Sequence, residues 1–181
     1  MPLIEGEKSL LRGFGATEKF NPAKERRMKK LPAIKINEAC REVIFVQGGM
    51  GIGISLATLA KAVAKRGGVG TISSAGLAAI VSRRLGRRVD IRQAAAIEVA
   101  ESKSEGGFIA INIMVALHQA FNDSILGAVE GGVDAIILGA GLPTNLPASL
   151  EHADVALIPI VSSVKALRIV YKRWTERLKR I

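Results

Sequence analysis

The sequence predicts an α/β protein: a partial (β/α)8 TIM barrel with about five βα units present. Three observations carry that prediction. Five short aliphatic runs alternate with amphipathic stretches, the order expected of a parallel sheet with helical crossovers. Each run is almost continuously apolar, as strands covered on both faces are. Three of the helical stretches close on a glycine pair, Gly67-Gly68, Gly106-Gly107 and Gly131-Gly132, and glycine readily takes the left-handed turn past a helix end.

Ordered structure is expected to begin near Leu31-Pro32-Ala33-Ile34-Lys35-Ile36, after a loose basic arm over residues 1–30. The first strand covers about 43–47 and stops at Gly48-Gly49-Met50-Gly51-Ile52-Gly53. Ser55 then opens a helix over about 55–66, in which Leu56, Leu59, Ala60 and Val63 keep helical spacing. Val69–Ser73 is the second strand. An irregular piece carrying Arg83, Arg84, Arg87 and Arg88 leads to a helix over about 91–104. The third strand spans 108–113 and is followed by a helix over about 121–130. The fourth spans 133–138 and runs into Gly139-Ala140-Gly141-Leu142-Pro143. A short helix near 147–151 precedes the fifth strand, 155–161. The last helix starts at Ser162 or Ser163, with an apolar stripe of Val164, Leu167, Tyr171 and Trp174 and with Val170 alongside.

Composition narrows the function. The formal net charge is +10, but it sits at the two ends. Residues 1–35 carry nine Lys/Arg against four Asp/Glu, and residues 165–181 carry seven against one. The middle is close to neutral, with few aromatics, so the pattern is that of solvated tails rather than of a nucleic-acid face. The single cysteine, Cys40, excludes an internal disulfide and a cysteine-cluster metal site, and a reducing cytoplasm is the expected compartment. No apolar stretch reaches the length of a membrane span, and the start of the chain lacks the pattern of a signal peptide.

The glycine run is the candidate site. Glycine lets backbone N–H groups approach a flat or anionic ligand closely, and a helix start adds free donors and a positive dipole end. The dinucleotide fingerprint is incomplete: Gly51-Ile52-Gly53-Ile54-Ser55-Leu56 lacks the third glycine, and no acidic residue ends the second strand. An open doubly wound sheet is therefore the weaker of the two folds. In a barrel the strand ends share one site. Those ends are Gln47-Gly48-Gly49-Met50, Ser73-Ser74-Ala75, Asn112-Ile113-Met114, Gly139-Ala140-Gly141 and Ser162-Ser163. They hold no metal-ligand set, no carboxylate pair and no Ser/His/Asp arrangement. Such a lining suits a large flat heterocycle that supplies the chemistry while the protein supplies orientation.

Five segments, taken in order, resemble the motifs of the nitronate monooxygenase (2-nitropropane dioxygenase) family. They are Gln47–Ser55, Val69–Ser73, Ile111–Ala116, Gly139–Pro143 and Ile158–Val164. The resemblance runs from about Leu31 to the C-terminus, and its superfamily includes flavin-dependent enoyl-acyl-carrier-protein reductases. It implies an FMN-binding barrel that oxidises alkyl nitronates with O2. By this similarity Gly48, Gly49 and Met50 lie along the isoalloxazine, with Gln47 at the strand end that leads into them. Asn112 and the loop after Ser73 line the ring and ribityl side, and Gly139 and Ala140 border the substrate cavity.

The match departs from the family in two places. Gly139 stands where some members carry a histidine base, which leaves His152 as the nearby catalytic candidate; His118 is expected at the surface. The chain also ends after the fifth βα unit, whereas a barrel has eight and about 250 residues. The expectation is a fragment, a truncated gene product, or a chain that pairs with another copy or with a missing C-terminal half. Other readings are an FMN- and NAD(P)H-dependent enoyl reductase and an inactive half-barrel that serves as an interaction module. On the fragment expectation the 181-residue chain binds FMN poorly by itself; a stoichiometric flavin spectrum from the purified chain would overturn it.

Overall fold

A computed structural model describes residues 34–36 and 41–178. The arm expected over 1–30 and Cys40 lie outside the described residues. The chain first makes a small antiparallel hairpin, β1 Ile34–Ile36 with β2 Arg41–Val43, in which Ile34 lies opposite Val43. The helix α1 Ala57–Ala64 leads into β3 Val69–Ser73. Two helices, α2 Leu77–Leu85 and α3 Ile91–Lys103, lead to β4 Phe108–Met114. Then come α4 His118–Glu130, β5 Ala135–Gly139, a 3-10 turn Ala148–Glu151, β6 Ala156–Pro159 and α5 Val164–Leu178.

The main sheet is parallel and its order is β3-β4-β5-β6. A doubly wound sheet reverses direction at a switch point, and this one never does. Parallel crossovers are right-handed, so a sheet that grows one way keeps all its helices on one face. That is the winding of a barrel wall.

Successive strand residues point to opposite faces, and the sheet separates two apolar clusters accordingly. Ile72, Ile109, Ile111, Ile113, Ile136 and Leu138 face the helices and pack with residues such as Val81, Val99, Ile125 and Val170. Val69, Phe108, Ala110, Ala135 and Ile137 face the other way and pack with Ile36 and Val43 of the hairpin. Val69, Phe108 and Ala135 stand at or near the strand starts, so the hairpin closes that end of the inner face. The C-terminal ends of the strands stay open for a site.

Four expectations need correction. Residues 43–47 are not one strand: Val43 belongs to the hairpin, and only Val46 bridges β3, at Val69. The irregular piece before residue 91 contains α2, because Leu77 and Val81 lie one turn apart and are fully buried while Arg83 and Arg84 face out. The helix over 121–130 begins three residues earlier, at His118, which is exposed as expected. The buried stripe of α5 is Val170 and Trp174, whereas Val164 and Tyr171 are 67% and 56% exposed. Trp174 turns the helix inward because its indole N–H donates to the Pro143 carbonyl at 2.7 Å. Other boundaries follow their local signals. Asp90 and Gln93 form a capping box at the start of α3, and Ser163 Oγ accepts from Ala166 N–H at the start of α5.

Gly70 sits where α1 crosses β3, and a Cβ there would collide with the Ala60 carbonyl. Gly70→Ala is expected to lower stability by about 3 kcal/mol, read as a drop in the urea midpoint. Gly48→Ala, with nothing within 4 Å of the new carbon, is expected to change it by less than about 0.5 kcal/mol.

On the outside, Arg92 of α3 binds Glu130 of α4. The Arg92 hydrogen bond, followed by its charge, holds the Glu130 carboxyl below its ordinary value of 4.5. A lowered carboxyl pKa adds stability above the unfolded value and loses it as pH falls through the folded one. Glu130→Gln is therefore expected to lower stability slightly at neutral pH and to flatten the acid limb of a stability-against-pH profile, so that the two profiles converge below about pH 4.5.

Candidate functional site

The site begins where the first strand segment leaves the sheet. Val69 N–H donates to Phe45 O at 2.9 Å, and Gln47 N–H donates to Val69 O at 3.0 Å. The next step of this ladder would use Thr71. The Gln47 side chain takes it instead: Oε1 accepts from Thr71 N–H at 3.3 Å, and Nε2 donates to Thr71 O at 3.1 Å. An amide side chain carries the same donor and acceptor types as a peptide, so it can close the edge of β3 in place of backbone. Gly48 and Gly49 are thereby released from the sheet. Their N–H groups donate to no group among the described residues.

Ser55 ties the released loop down. It is only 2% exposed. Its Oγ accepts from Met50 N–H and from Gln47 Nε2, both at 3.0 Å, and lies 3.5 Å from the Gly48 carbonyl. Its own N–H donates to Met50 O, and its carbonyl accepts from Ser73 N–H, both at 3.0 Å. Gly49 presses onto the strand tips, where a Cβ would come within 2.6 Å of Asn112 Cβ and 3.2 Å of Thr71 Cγ2. The two non-glycine residues with positive φ among those described, Ile52 and Ala140, both lie in loops at this end of the sheet. Backbone strain of this kind gathers at functional sites.

A cleft of about 620 Å³ crosses the inner face, within the range of small-molecule sites. Val46, Gln47, Gly48 and Gly49 line one side, Asn112 and Ile137 the middle, and Ala156–Ile158 with Ile160 the other side; Ile34 and Ile36 also contribute. Its polar side chains are Gln47 and Asn112. The Gln47 amide is already engaged by β3 and Ser55. The half-buried Asn112 amide has no partner among the described residues. Thr71 Oγ1, buried next to Gly49, is likewise unpaired among the described residues.

The expected site residues divide. Gln47, Gly48, Gly49 and Asn112 meet on the cleft. Met50 is exposed beside it, and Ser73 is buried. Gly139 is buried against Ile160, and Ala140 lies exposed in the loop that follows. The Gly139 and Ala140 carbonyls accept from Val115 N–H and Ala116 N–H, binding two loops together. His152 is exposed at the end of the 3-10 turn and does not line the cleft.

Part of the helix start after the glycines, expected to offer its N–H groups to a ligand, is already used inside the protein. Ala57 N–H, in the first turn of α1, donates to Glu98 Oε2 at 2.8 Å, and the fully buried Glu98 is also ion-paired with Arg84. The chain's own carboxylate occupies that end. Sequence reasoning missed Glu98, Thr71 and the role of Ser55. For Glu98 a signal existed: it lies four residues from both Ala94 and Ser102, on the small-residue face that α3 turns inward.

The family model of nitronate monooxygenase matches residues 34–178 of the chain, which carry this loop, the sheet and the cleft. The chain belongs to the nitronate monooxygenase family. Among solved structures, FabK from Thermotoga maritima is 24% identical with a TM-score of 0.57, over 71% of this chain and 37% of its own. A point mutant of that protein is 26% identical with a TM-score of 0.56, over 73% and 40%. The likeness bears out an α/β fold that is part of a TIM barrel. The chain thus spans well under half the length of the FabK chains it matches. No curated protein matches it. Among the described residues no helix is long and apolar enough to cross a membrane.

Ser55→Ala removes the acceptor of two donors in a buried place. It is expected to cost about 1–3 kcal/mol in a denaturation midpoint and to move the Met50 amide resonance in a nitrogen–proton NMR spectrum.

Proposed function

We propose that the chain is the cofactor-binding part of an FMN-dependent oxidoreductase that oxidises alkyl nitronates with dioxygen. One observation carries the reading. The N–H groups of Gly48 and Gly49 and the amide of Asn112, without partners among the described residues, line an apolar cleft large enough for a flat heterocycle. A tricyclic ring with carbonyl oxygens and ring nitrogens on one border fits that arrangement of donors and acceptors. A ring with a charged border would not suit the aliphatic walls.

The fit is argued from the ring end of FMN; the start of α1 is a poorer place for its phosphate, because Glu98 already accepts from Ala57 N–H there. A second anion there would face a buried carboxylate. When bound, FMN supplies a two-electron acceptor that dioxygen can reoxidise. The protein's part is orientation and exclusion of water. Gly48, Gly49 and Asn112 hold the polar border, and Ile137, Ile158 and Ile160 cover the apolar surface. A nitronate already carries its negative charge, so no proton has to leave carbon. A cleft with no titratable side chain among its described lining residues is consistent with such a substrate. The family membership supports the same choice.

A second reading, an FMN- and NAD(P)H-dependent enoyl-acyl-carrier-protein reductase, is favoured by the solved structures, both of FabK. Flavin-loaded protein mixed anaerobically with propyl-2-nitronate or with NADH separates the two. Bleaching of the flavin by the nitronate and not by NADH is expected; the reverse would replace the first reading with the second. For the cofactor, FMN titrated into isotope-labelled chain is expected to shift the Gly48 and Gly49 backbone amides and the Asn112 side-chain amide, even where binding is weak. Asn112→Ala is expected to raise the fitted Kd about tenfold, or ~1.4 kcal/mol.

A further inference from the structure

Glu98 is the one charged side chain fully buried among the described residues. It sits on α3 between Ala94 and Ser102, each one turn away and each fully buried. Oε2 accepts from Ala57 N–H of α1 at 2.8 Å. Oε1 forms an ion pair with Arg84 of α2 that is made by charge without an aligned hydrogen bond. One carboxylate therefore joins three helices.

A carboxylate is an expensive way to join helices. Taking it out of water costs several kcal/mol, and apolar residues of similar volume often do the same packing at no loss. What apolar residues cannot do is satisfy the first turn of a helix. Its leading N–H groups have no partner inside the helix and carry the positive end of its dipole. Leu56, at the cap position of α1, provides no side-chain bond of its own. Just upstream of Ala57 lies Ser55, whose hydroxyl holds Met50 N–H and the Gln47 amide. Ser55 has its own backbone bonds to Met50 and Ser73, and the Glu98 bond at Ala57 adds a further restraint on the angle at which it meets the glycine loop.

We infer that Glu98 is a positioning residue for the Gly48–Met50 loop: an internal anion that pins the start of α1 and, through Ser55, sets the pose of the free glycine N–H groups. This inference rests on the reading that those glycines contact the cofactor.

The test needs no flavin, so its outcome is independent of the flavin titration and of the nitronate assay. Backbone amide exchange and NMR spectra are recorded on the 181-residue chain. In Glu98→Ala the Ala57 amide is expected to exchange at least about tenfold faster, and the Met50 amide resonance to move. Added formate, the lost carboxylate in soluble form, restores both; potassium chloride at equal ionic strength does not. Glu98→Gln keeps an acceptor at Ala57 and is expected to keep Ala57 protected and Met50 in place. Equal responses to formate and chloride overturn the proposal. So does a Met50 resonance that stays fixed while Ala57 exchanges freely, because Glu98 would then fasten the helix and not the loop. If Glu98→Ala does not fold, Glu98→Gln decides. Loss of Ala57 protection in a folded Glu98→Gln chain overturns the proposal. Failure of Glu98→Gln to fold as well also overturns it, since the carboxylate would then serve the core as a whole.

Discussion

At the end of the first strand segment, Gln47 uses its side-chain amide to satisfy both backbone groups of Thr71. Every other feature of the site follows from that substitution. A parallel ladder that continued would draw Gly48 and Gly49 into the sheet and engage their N–H groups. A ladder that simply stopped would leave the Thr71 N–H and carbonyl buried without partners, which costs about 1–3 kcal/mol for each group. The glutamine resolves the conflict, because an amide side chain has the hydrogen-bonding character of a peptide without its chain direction. The backbone is then free to turn away over the strand tips.

The two faces of the sheet divide the labour. Outward residues such as Ile109, Ile111 and Ile113 lock the helices on. Inward residues at the strand starts pack against the β1–β2 hairpin. With one end plugged and one face covered, the cleft opens at the C-terminal ends, the place where barrels present their sites. Its walls are mostly aliphatic, and among the described residues its polar groups are the Gln47 and Asn112 side chains and the backbone of Gly48 and Gly49. Orientation by a few fixed donors over a dry surface is how a protein uses a cofactor that carries its own chemistry.

Charge is arranged by the same logic of depth. Arg92–Glu130 and Lys65–Glu105 are exposed pairs, which contribute little and are screened by salt. Glu98 is different, because it is buried, paired and aimed at a helix start. The molecule thus places a fixed anion of its own at the Ala57 donor, away from the aliphatic cleft.

The winding and the glycine loop that follows Gln47 were legible in the chain itself. The alternation of aliphatic runs with amphipathic stretches is a local pattern, and so is the glycine run after Gln47; both depend on residues close together in sequence. The strand assignments for Val69–Ser73 and Phe108–Ile113 follow from it and agree with the structure to within a residue. Distance hid the rest. Gln47 meets Thr71 across 24 positions and Glu98 meets Ala57 across 41, and periodicity carries no information about which distant groups will meet. A glutamine ending a strand and a glutamate inside an alanine-rich helix read locally as polar residues with open valences. Only the packing of β3 beside Val46, and of α3 under α1, decided that their donors and acceptors are used inside the protein, while the N–H groups of Gly48 and Gly49 and the Asn112 amide have no partner among the described residues.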